Sequence, residues 1–540
     1  MNHEHAEPAA PSADYSKLIG VLGAVLIAYV VALFLGYPQA ATRAIISTDH
    51  SAAHDEAPGD HSASPGAAHS ERKLDPPALP WVAPFALLLA AIAIFPLTPA
   101  LEHWWESNTN KLIVAGGLAV VTLAYYTFLH HDGIERHFAG HGVVEPTQGG
   151  PSVNLALTLL MNCILGEYVP FIILLFSLYT IAGGLRITGD LVATPATNAA
   201  IMAVGAILAS FVGTTGAAMI LIRLLLETNR ERKHVKHTIV FFIFIVCNAG
   251  GLLLPLGDPP LFIGYLYGVD FLWTLKLVGA WAFVNGMLLG IYFLADTLYF
   301  HPHETKRDIL RDETQTTPLS ITGRINILWL ACVVLCVGLL DPNKAVPGTN
   351  GWHPPLYLRE SLQLLLVAIS LITTPKALRI ANGFNFGAIL EVAALFIGIF
   401  ITMQPALQYL GAHGGKLGLD TPTEYFWATG CLSGVLDNAP TYAVFFDAAK
   451  SLPYDPSFGK QMTDLPAENL LAAVSLGAVL MGALTYIGNG PNFMVRAIAE
   501  KSGVKMPSFF GYMKYSLGVL IPIFILLNVI LSGLSQWTAW

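Results

Sequence analysis

The sequence predicts an all-α polytopic membrane protein of about 11 transmembrane helices plus two re-entrant hairpins, arranged as two inverted-topology repeats. Three observations carry this. Of 540 residues, 54% are apolar and only 12% charged, about half the charged share of an ordinary soluble protein, and mean hydropathy is +0.58. Apolar runs long enough to cross a bilayer recur along the whole chain. A pattern of helix-breaking glycines and prolines occurs twice, in the same order. The 49 Gly and 34 Pro lie inside apolar stretches rather than in tandem repeats, which excludes collagen-like and disordered chains.

A net charge of −8 gives no sign of a nucleic-acid surface, so the expected surroundings are the lipid bilayer. Cys163, Cys247, Cys332, Cys336 and Cys431 sit in apolar runs without a CxxC spacing, so neither disulfide nor zinc chemistry is indicated and no cofactor is expected. The chain holds no HExxH or GxSxG and no spacing that assembles a nucleophile with a base, so an enzyme is not expected and no catalytic residue is assigned.

Crossing runs fall near 17–37, 81–100, 111–130, 155–183, 239–267, 275–298, 323–341, 360–375, 386–410, 469–497 and 514–533. Residues 1–14 read as a cytoplasmic N-terminus and 15–37 as a retained anchor. Its apolar run is longer than a signal peptide's, and the preceding stretch carries acids with only Lys17 at its edge. Residues 38–79, rich in Ala, Pro, Ser, His and acids, read as a flexible external loop. Its His50, His54, His61 and His69 are too irregularly spaced to favour a metal site over a solvated linker. The first repeat then covers 80–300, a charged cytoplasmic connector 301–322, and the second repeat 323–540.

Two further apolar segments, 198–227 and 424–450, break at Gly213-Thr214-Thr215-Gly216 and Asp437-Asn438-Ala439-Pro440. Neither half is long enough by residue count to cross alone, so both read as re-entrant hairpins whose tips need protein or a watery cavity around them. Lys and Arg set the orientation. Four groups, Arg230/Arg232/Lys233/Lys236, Lys306/Arg307/Arg311/Arg324, Lys376/Arg379 and Lys501/Lys505/Lys514, fall on one side after eleven crossings. That side is the cytoplasm, with the N-terminus inside and the C-terminus outside. The hairpins enter from opposite faces, because the connector after the second is acidic (Asp455, Asp464, Glu468).

Aligning Glu391 on Glu167 brings the second hairpin tip onto the first. After a short shift, PLGDPPLFI (Pro255 to Ile263) falls on YIGNGPNFM (Tyr486 to Met494), and Gly251 meets Gly482. An odd number of crossings between the copies inverts their topology. Inverted repeats with Gly/Pro-interrupted helices mark secondary transporters whose site lies between the copies.

A broken helix leaves backbone N–H and C=O groups unpaired, which face a polar cavity or cost several kcal/mol each, on an apolar-transfer scale of ~4–8 kcal/mol. The break backbones expected to line that cavity are Gly213, Gly216, Gly250, Gly251, Gly257, Gly488, Gly490 and Pro440. Asp437 is the first choice for cation ligand or proton carrier, with Asn438 and Thr441 as neutral ligands, and Na⁺ is placed at Asp437 and Asn438. A helix cap would explain an Asx residue before Pro440, but not an acid at membrane depth. Asp258, in Gly257-Asp258-Pro259-Pro260, is the second acid, against the reading of a plain turn aspartate. Asn489, Asn492, Asn248, Thr214 and Thr215 supply further neutral oxygens. A desolvated carboxyl takes up either a proton or a cation, so Na⁺ and H⁺ are the expected transported or coupling ions. Glu167 and Glu391 open equivalent spans, and Arg223 and Glu227 have the spacing of an i,i+4 ion pair.

At these residues the chain resembles the ion transporter superfamily, which includes NhaD-type sodium/proton antiporters, arsenite permeases, citrate–metal symporters and divalent anion/sodium symporters. SGVLDNAPT (Ser433 to Thr441) is similar to their second-hairpin signature, NAGGLLLPLGDPP (Asn248 to Pro260) to the unwound fifth span, and GNGPN with AIAEKSG (Gly488 to Gly503) to the tenth. The resemblance, covering about residues 80–535, implies a homodimer whose protomers carry the site by an elevator movement against a scaffold. The first tip, GTTGA, departs from the Asn-bearing form of other branches, and GDPP leans toward the arsenite and citrate side. The resulting expectation is a bacterial inner-membrane sodium (or lithium)/proton antiporter; the alternative is a cation-coupled carrier of a citrate-like organic anion.

Overall fold

In lipid a chain must pair its own backbone groups, so apolar runs resolve into helices. The computed structural model describes residues 15–54, 74–138, 140, 142–463, 465–534 and 536–538, without the side chains of 48–54 and 457. Every expected crossing is helical, some in pieces. Among the described residues eight helices are long and apolar enough to span, or nine if Gly387–Thr402 and Gln404–Lys416, bent by 43° across Met403, count as one. Pro405 in the first turn after the bend fits this geometry. Ile325–Leu339 and Leu358–Thr373, with 15 and 16 residues, are shorter than a full crossing.

Two expectations need correction. The first arm of the first hairpin, Pro195–Val212, has 18 residues and is long and apolar enough to cross. The start of the supposed external loop is a helix, Tyr37–His54. Pro38 opens it, and Thr42 docks it by donating to Pro354 O at 3.2 Å and accepting from Leu356 N at 2.9 Å. His61 and His69, and the side chains of His50 and His54, lie outside the described residues. The 301–322 connector is also built: Thr305 caps helix Lys306–Thr314, and Thr317–Thr322 pairs antiparallel with Arg186–Asp190.

Burial sorts the helices. In the first broken helix, 89% of Lys236–Leu253 is buried, against 6% of Ser16–Phe34. A helix that is apolar all round belongs inside protein or against lipid, and these two mark the extremes. Exposed Ile27, Phe34, Ile113, Leu298 and Phe510 supply an apolar exterior of the kind lipid covers. Two of the arginines that set the orientation, Arg232 and Arg379, are buried. Arg379 donates to Thr180 O and to Ser370 Oγ. Arg232 pairs with Asp296 at 2.6 Å.

The hairpins and broken helices pack crosswise. Thr214–Thr228, the second arm of the first hairpin, packs on Gly490–Lys501, the second half of the second broken helix. Asn438–Lys450 packs on Pro259–Leu266 in the same manner. Each broken helix folds back on itself where two glycines meet. A Cβ on Gly257 would overlap the Gly251 carbonyl, and one on Gly488 would lie 2.6 Å from Gly482 O. Gly490 has open space around its missing Cβ, so its place in the second break is not forced by packing.

These contacts predict that Gly257→Ala lowers folding stability by about 1–3 kcal/mol or more. Gly490→Ala should stay within about 0.5 kcal/mol of wild type. Thermal unfolding of the two purified variants in one detergent checks both.

Candidate functional site

The residue after each crossover glycine is extended: Asp258 at φ −145°, ψ 142° and Asn489 at φ −153°, ψ 137°. Both stand at the N-cap of the following half-helix, yet neither side chain caps it. A proline in each first turn removes one backbone donor that a cap would satisfy. The two side chains turn toward each other, and Asn489 Nδ2 donates to Asp258 Oδ1 at 2.9 Å.

The hairpin tips complete the arrangement. Thr214 Oγ1 donates to Asp258 Oδ1 at 3.1 Å, and Asn438 Nδ2 to Asp258 Oδ2 at 2.6 Å. Asp258 thus receives one side-chain donor from each of the other three breaks. Only 1% of it is exposed. Thr214 N also donates to Gly257 O at 2.8 Å, seating the first tip on the first break. Behind the carboxylate, Asn489 Nδ2 reaches Cys247 O at 3.0 Å and Asn248 Oδ1 at 3.3 Å. Asn248 donates to Asn492 Oδ1 at 2.8 Å, and Asn492 donates to Gly482 O and Thr485 O. Asn248 and Asn492 therefore position Asn489 and tie it to the carbonyls of both breaks.

Hydroxyls and an indole close the remaining carbonyls. Ser210 Oγ and Trp281 Nε1 both donate to Gly250 O, at 2.6 and 3.2 Å. Gly250 is glycine because a Cβ would come within 2.7 Å of Ala206 Cα. In the second half Thr485 Oγ1 donates to Gly434 O, Tyr512 OH to Ala483 O and Ser516 Oγ to Leu484 O. At the centre of the breaks the donors converge on a charge.

Asp437 stands in the second tip, at the start of the following helix. It is half-buried, and its carboxylate accepts from Ala439 N at 3.2 Å as the N-cap of Asn438–Lys450. The helix-cap explanation weighed for Asp437 describes its geometry, while the plain-turn explanation for Asp258 does not. Thr441 Oγ1 donates to Asp437 O at 2.9 Å, within its own helix, and half-buried Thr215 is not among the side chains on Asp258. The first tip is narrower than the sequence indicated, and the second lies three residues earlier. The first breaks at Gly213 alone (φ +78°), leaving Gly216 inside the following helix. The second breaks over 434–437, with Asn438 and Pro440 already helical.

Among the described residues, no ion pair joins Asp258 to a cation, and Asp437 adds a second negative field. Two carboxylates, a threonine hydroxyl, asparagine amides and break carbonyls make a hard-oxygen environment suited to an alkali cation or proton. An amide that donates to Asp258 presents its oxygen after a half-turn, so Asn438 and Asn489 can serve the carboxylate or a bound cation. Among the described residues no group of three or more His, Cys, Asp or Glu is placed to hold a metal ion.

The structure also separates Glu167 from Glu391. Glu391 pairs with Lys111 at 2.6 Å. Glu167 lies in a π-turn, Asn162–Tyr168, with Oε2 buried, without a hydrogen-bond partner among the described residues, and within the field of Asp447. Asp447 is legible as an acid inside the apolar run YAVFFDAAK (Tyr442 to Lys450), although it lies outside the helix breaks. The expected Arg223–Glu227 pair does not form. Glu227 binds Arg230 at 3.0 Å, and Arg223 reaches toward Ala381 O at 3.4 Å.

A family model described as "Putative citrate transport" matches residues 143–532. The chain is 28% identical over 256 residues to the P protein of Mus musculus and 26% identical over 243 residues to that of Homo sapiens. These alignments cover 44% and 41% of this chain, but only 30% and 28% of the relatives' own length.

A double-mutant cycle tests the network. Asn438→Ala and Asp258→Asn should couple by about 1–3 kcal/mol in unfolding free energy, because the amide donates to a buried charge. Thr441→Val with Asp258→Asn should couple by less than about 0.5 kcal/mol.

Proposed function

We propose that this chain, which belongs to the citrate-transport family matched above and is an integral membrane protein, is a cation-coupled secondary transporter with its coupling ion at Asp258. The observation that carries the reading is a buried carboxylate held by neutral donors from three separate chain breaks. A bare carboxylate in such surroundings is costly, so Na⁺, Li⁺ or a proton is the natural occupant. Each donor stands on a different element, so filling or emptying the site alters how the four elements hold together.

In the first reading the transported species are the ions themselves: Na⁺ or Li⁺ is exchanged for H⁺ at Asp258, with Asp437 nearby as a second acid. In the second, the coupling cation accompanies a citrate-like organic anion; the description of the family favours it. The crosswise packing of hairpins and broken helices supports the inverted-repeat reading. One cleft unites Arg230, Lys233 and Lys236 with Lys505, which supports placing both basic groups on one side, the cytoplasmic side in this scheme. A homodimer with an elevator movement, in a bacterial inner membrane, completes the proposal.

Everted vesicles with an imposed pH gradient test it. Addition of Na⁺ or Li⁺ should dissipate the gradient in wild type, Asp258→Asn should abolish the response, and Asp437→Asn should weaken it. Silence toward cations alone, with gradient-driven uptake of labelled citrate lost in Asp258→Asn, would replace exchange by anion symport. Activity of either kind that survives Asp258→Asn would sink the assignment of the site.

A further inference from the structure

A cleft of about 740 Å³ opens away from the Asp258 network, within the size range of small-molecule sites. Its walls come from both halves of the chain: the end of the first hairpin, the 229–237 segment, residues 502–505 and Tyr515. Arg186, from the strand after the fourth span, also lines it. Arg223 stands nine residues along its helix from Thr214, roughly 13 Å at ~1.5 Å per residue, so this space is distinct from the break network.

The cleft holds more positive charge than its own acids can balance. Arg230 is neutralised by Glu227 at 3.0 Å and Glu231 at 3.2 Å, and Arg232 by Asp296 at 2.6 Å. Glu227, the acid among the lining residues, is thereby engaged. Arg186, Arg223, Lys233, Lys236 and Lys505 also line the cleft, and among the described residues none of them forms an ion pair. Arg186 and Arg223 lie within each other's repulsive field. Arg223 Nε is buried and, among the described residues, has no hydrogen-bond partner. Like charges so gathered destabilise one another at distances inside the Debye length of ~10 Å in 0.1 M salt. A planar guanidinium is the side chain best matched to a carboxylate or phosphate group.

We propose that this cleft binds a polyvalent oxyanion, a di- or tricarboxylate or a phosphate group, between Arg186, Arg223 and the lysines. The ligand bridges the first hairpin and the segment following the second broken helix, and so couples two elements that also meet at Asp258. Its oxygens complete the donor set of Arg223 and remove the repulsion across the cleft. The phosphate can belong to a dissolved anion or to a lipid headgroup, since both present the same chemistry.

The full-length protein, purified in a neutral detergent, is titrated with citrate and with inorganic phosphate, using chloride at equal ionic strength as reference. A parallel set in nanodiscs compares pure phosphatidylcholine with added phosphatidylglycerol or cardiolipin. Binding is read by calorimetry and thermal shift. Saturable binding of citrate or phosphate in detergent supports a dissolved ligand; stabilisation by the anionic lipids alone supports a headgroup. Arg186→Gln with Arg223→Gln should weaken binding roughly tenfold or more, as expected for losing charge-assisted bonds. Because these arginines are partly buried, Lys233→Gln/Lys236→Gln/Lys505→Gln, at exposed positions, provides a variant that folds. It should weaken binding at least several-fold, at the usual exchange of tenfold per 1.4 kcal/mol. Asp258→Asn should retain the binding, which separates this proposal from that for the break site. No response beyond chloride and phosphatidylcholine, or equal affinity in wild type and the triple-lysine variant, would overturn it.

Discussion

One carboxylate organises the centre of this protein. Asp258 is buried, and Thr214, Asn438 and Asn489 donate to it from the first hairpin, the second hairpin and the second broken helix. Hydrogen bonds to a charged acceptor in a low-dielectric interior are stronger than neutral ones, and losing one leaves a costly charge behind. Four chain segments that are distant in sequence are therefore held to a single point, and their geometry depends on what that point carries.

The surrounding backbone makes this convergence possible. Gly251 meets Gly257, and Gly482 meets Gly488, at separations that leave no room for a Cβ. The carbonyls freed by unwinding find Ser210, Trp281, Thr485, Tyr512 and Ser516. At Asp258 the donors are neutral dipoles and the acceptor is an ion. An ion of opposite charge is the chemical complement of that arrangement, which unites the two transport readings: both need a cation or proton at this place.

The charge distribution adds a second level. The core of the break network is acidic, with Asp437 near Asp258 and the Glu167–Asp447 pair elsewhere in the bundle. The cleft beyond the first hairpin is basic, its excess charge drawn from residues far apart in the chain. The two regions of opposite sign touch the same hairpin, one at Thr214 and the other at Arg223.

Membrane class, the positions of the breaks and the residues of the network were all legible in the sequence. Composition, apolar run length and Gly/Pro spacing are local properties, and lipid leaves the backbone little choice but helix. Thr214, Asn438, Asn489 and Asp258 were named there because polar residues at helix breaks stand out against an apolar background. Their ranking was not legible. Asp437 and Asp258 both precede or adjoin prolines in apolar segments, and only the folded chain shows that one caps its own helix while the other gathers donors from three others. The same holds for Arg223, whose i,i+4 neighbour Glu227 is taken by Arg230, and for Tyr37–His54, helical in a stretch whose composition reads as loop. Sequence by itself determined which residues are polar where the helices break. Tertiary structure decided which of them meet, because partners 44, 180 and 231 positions from Asp258 are chosen by packing and not by spacing.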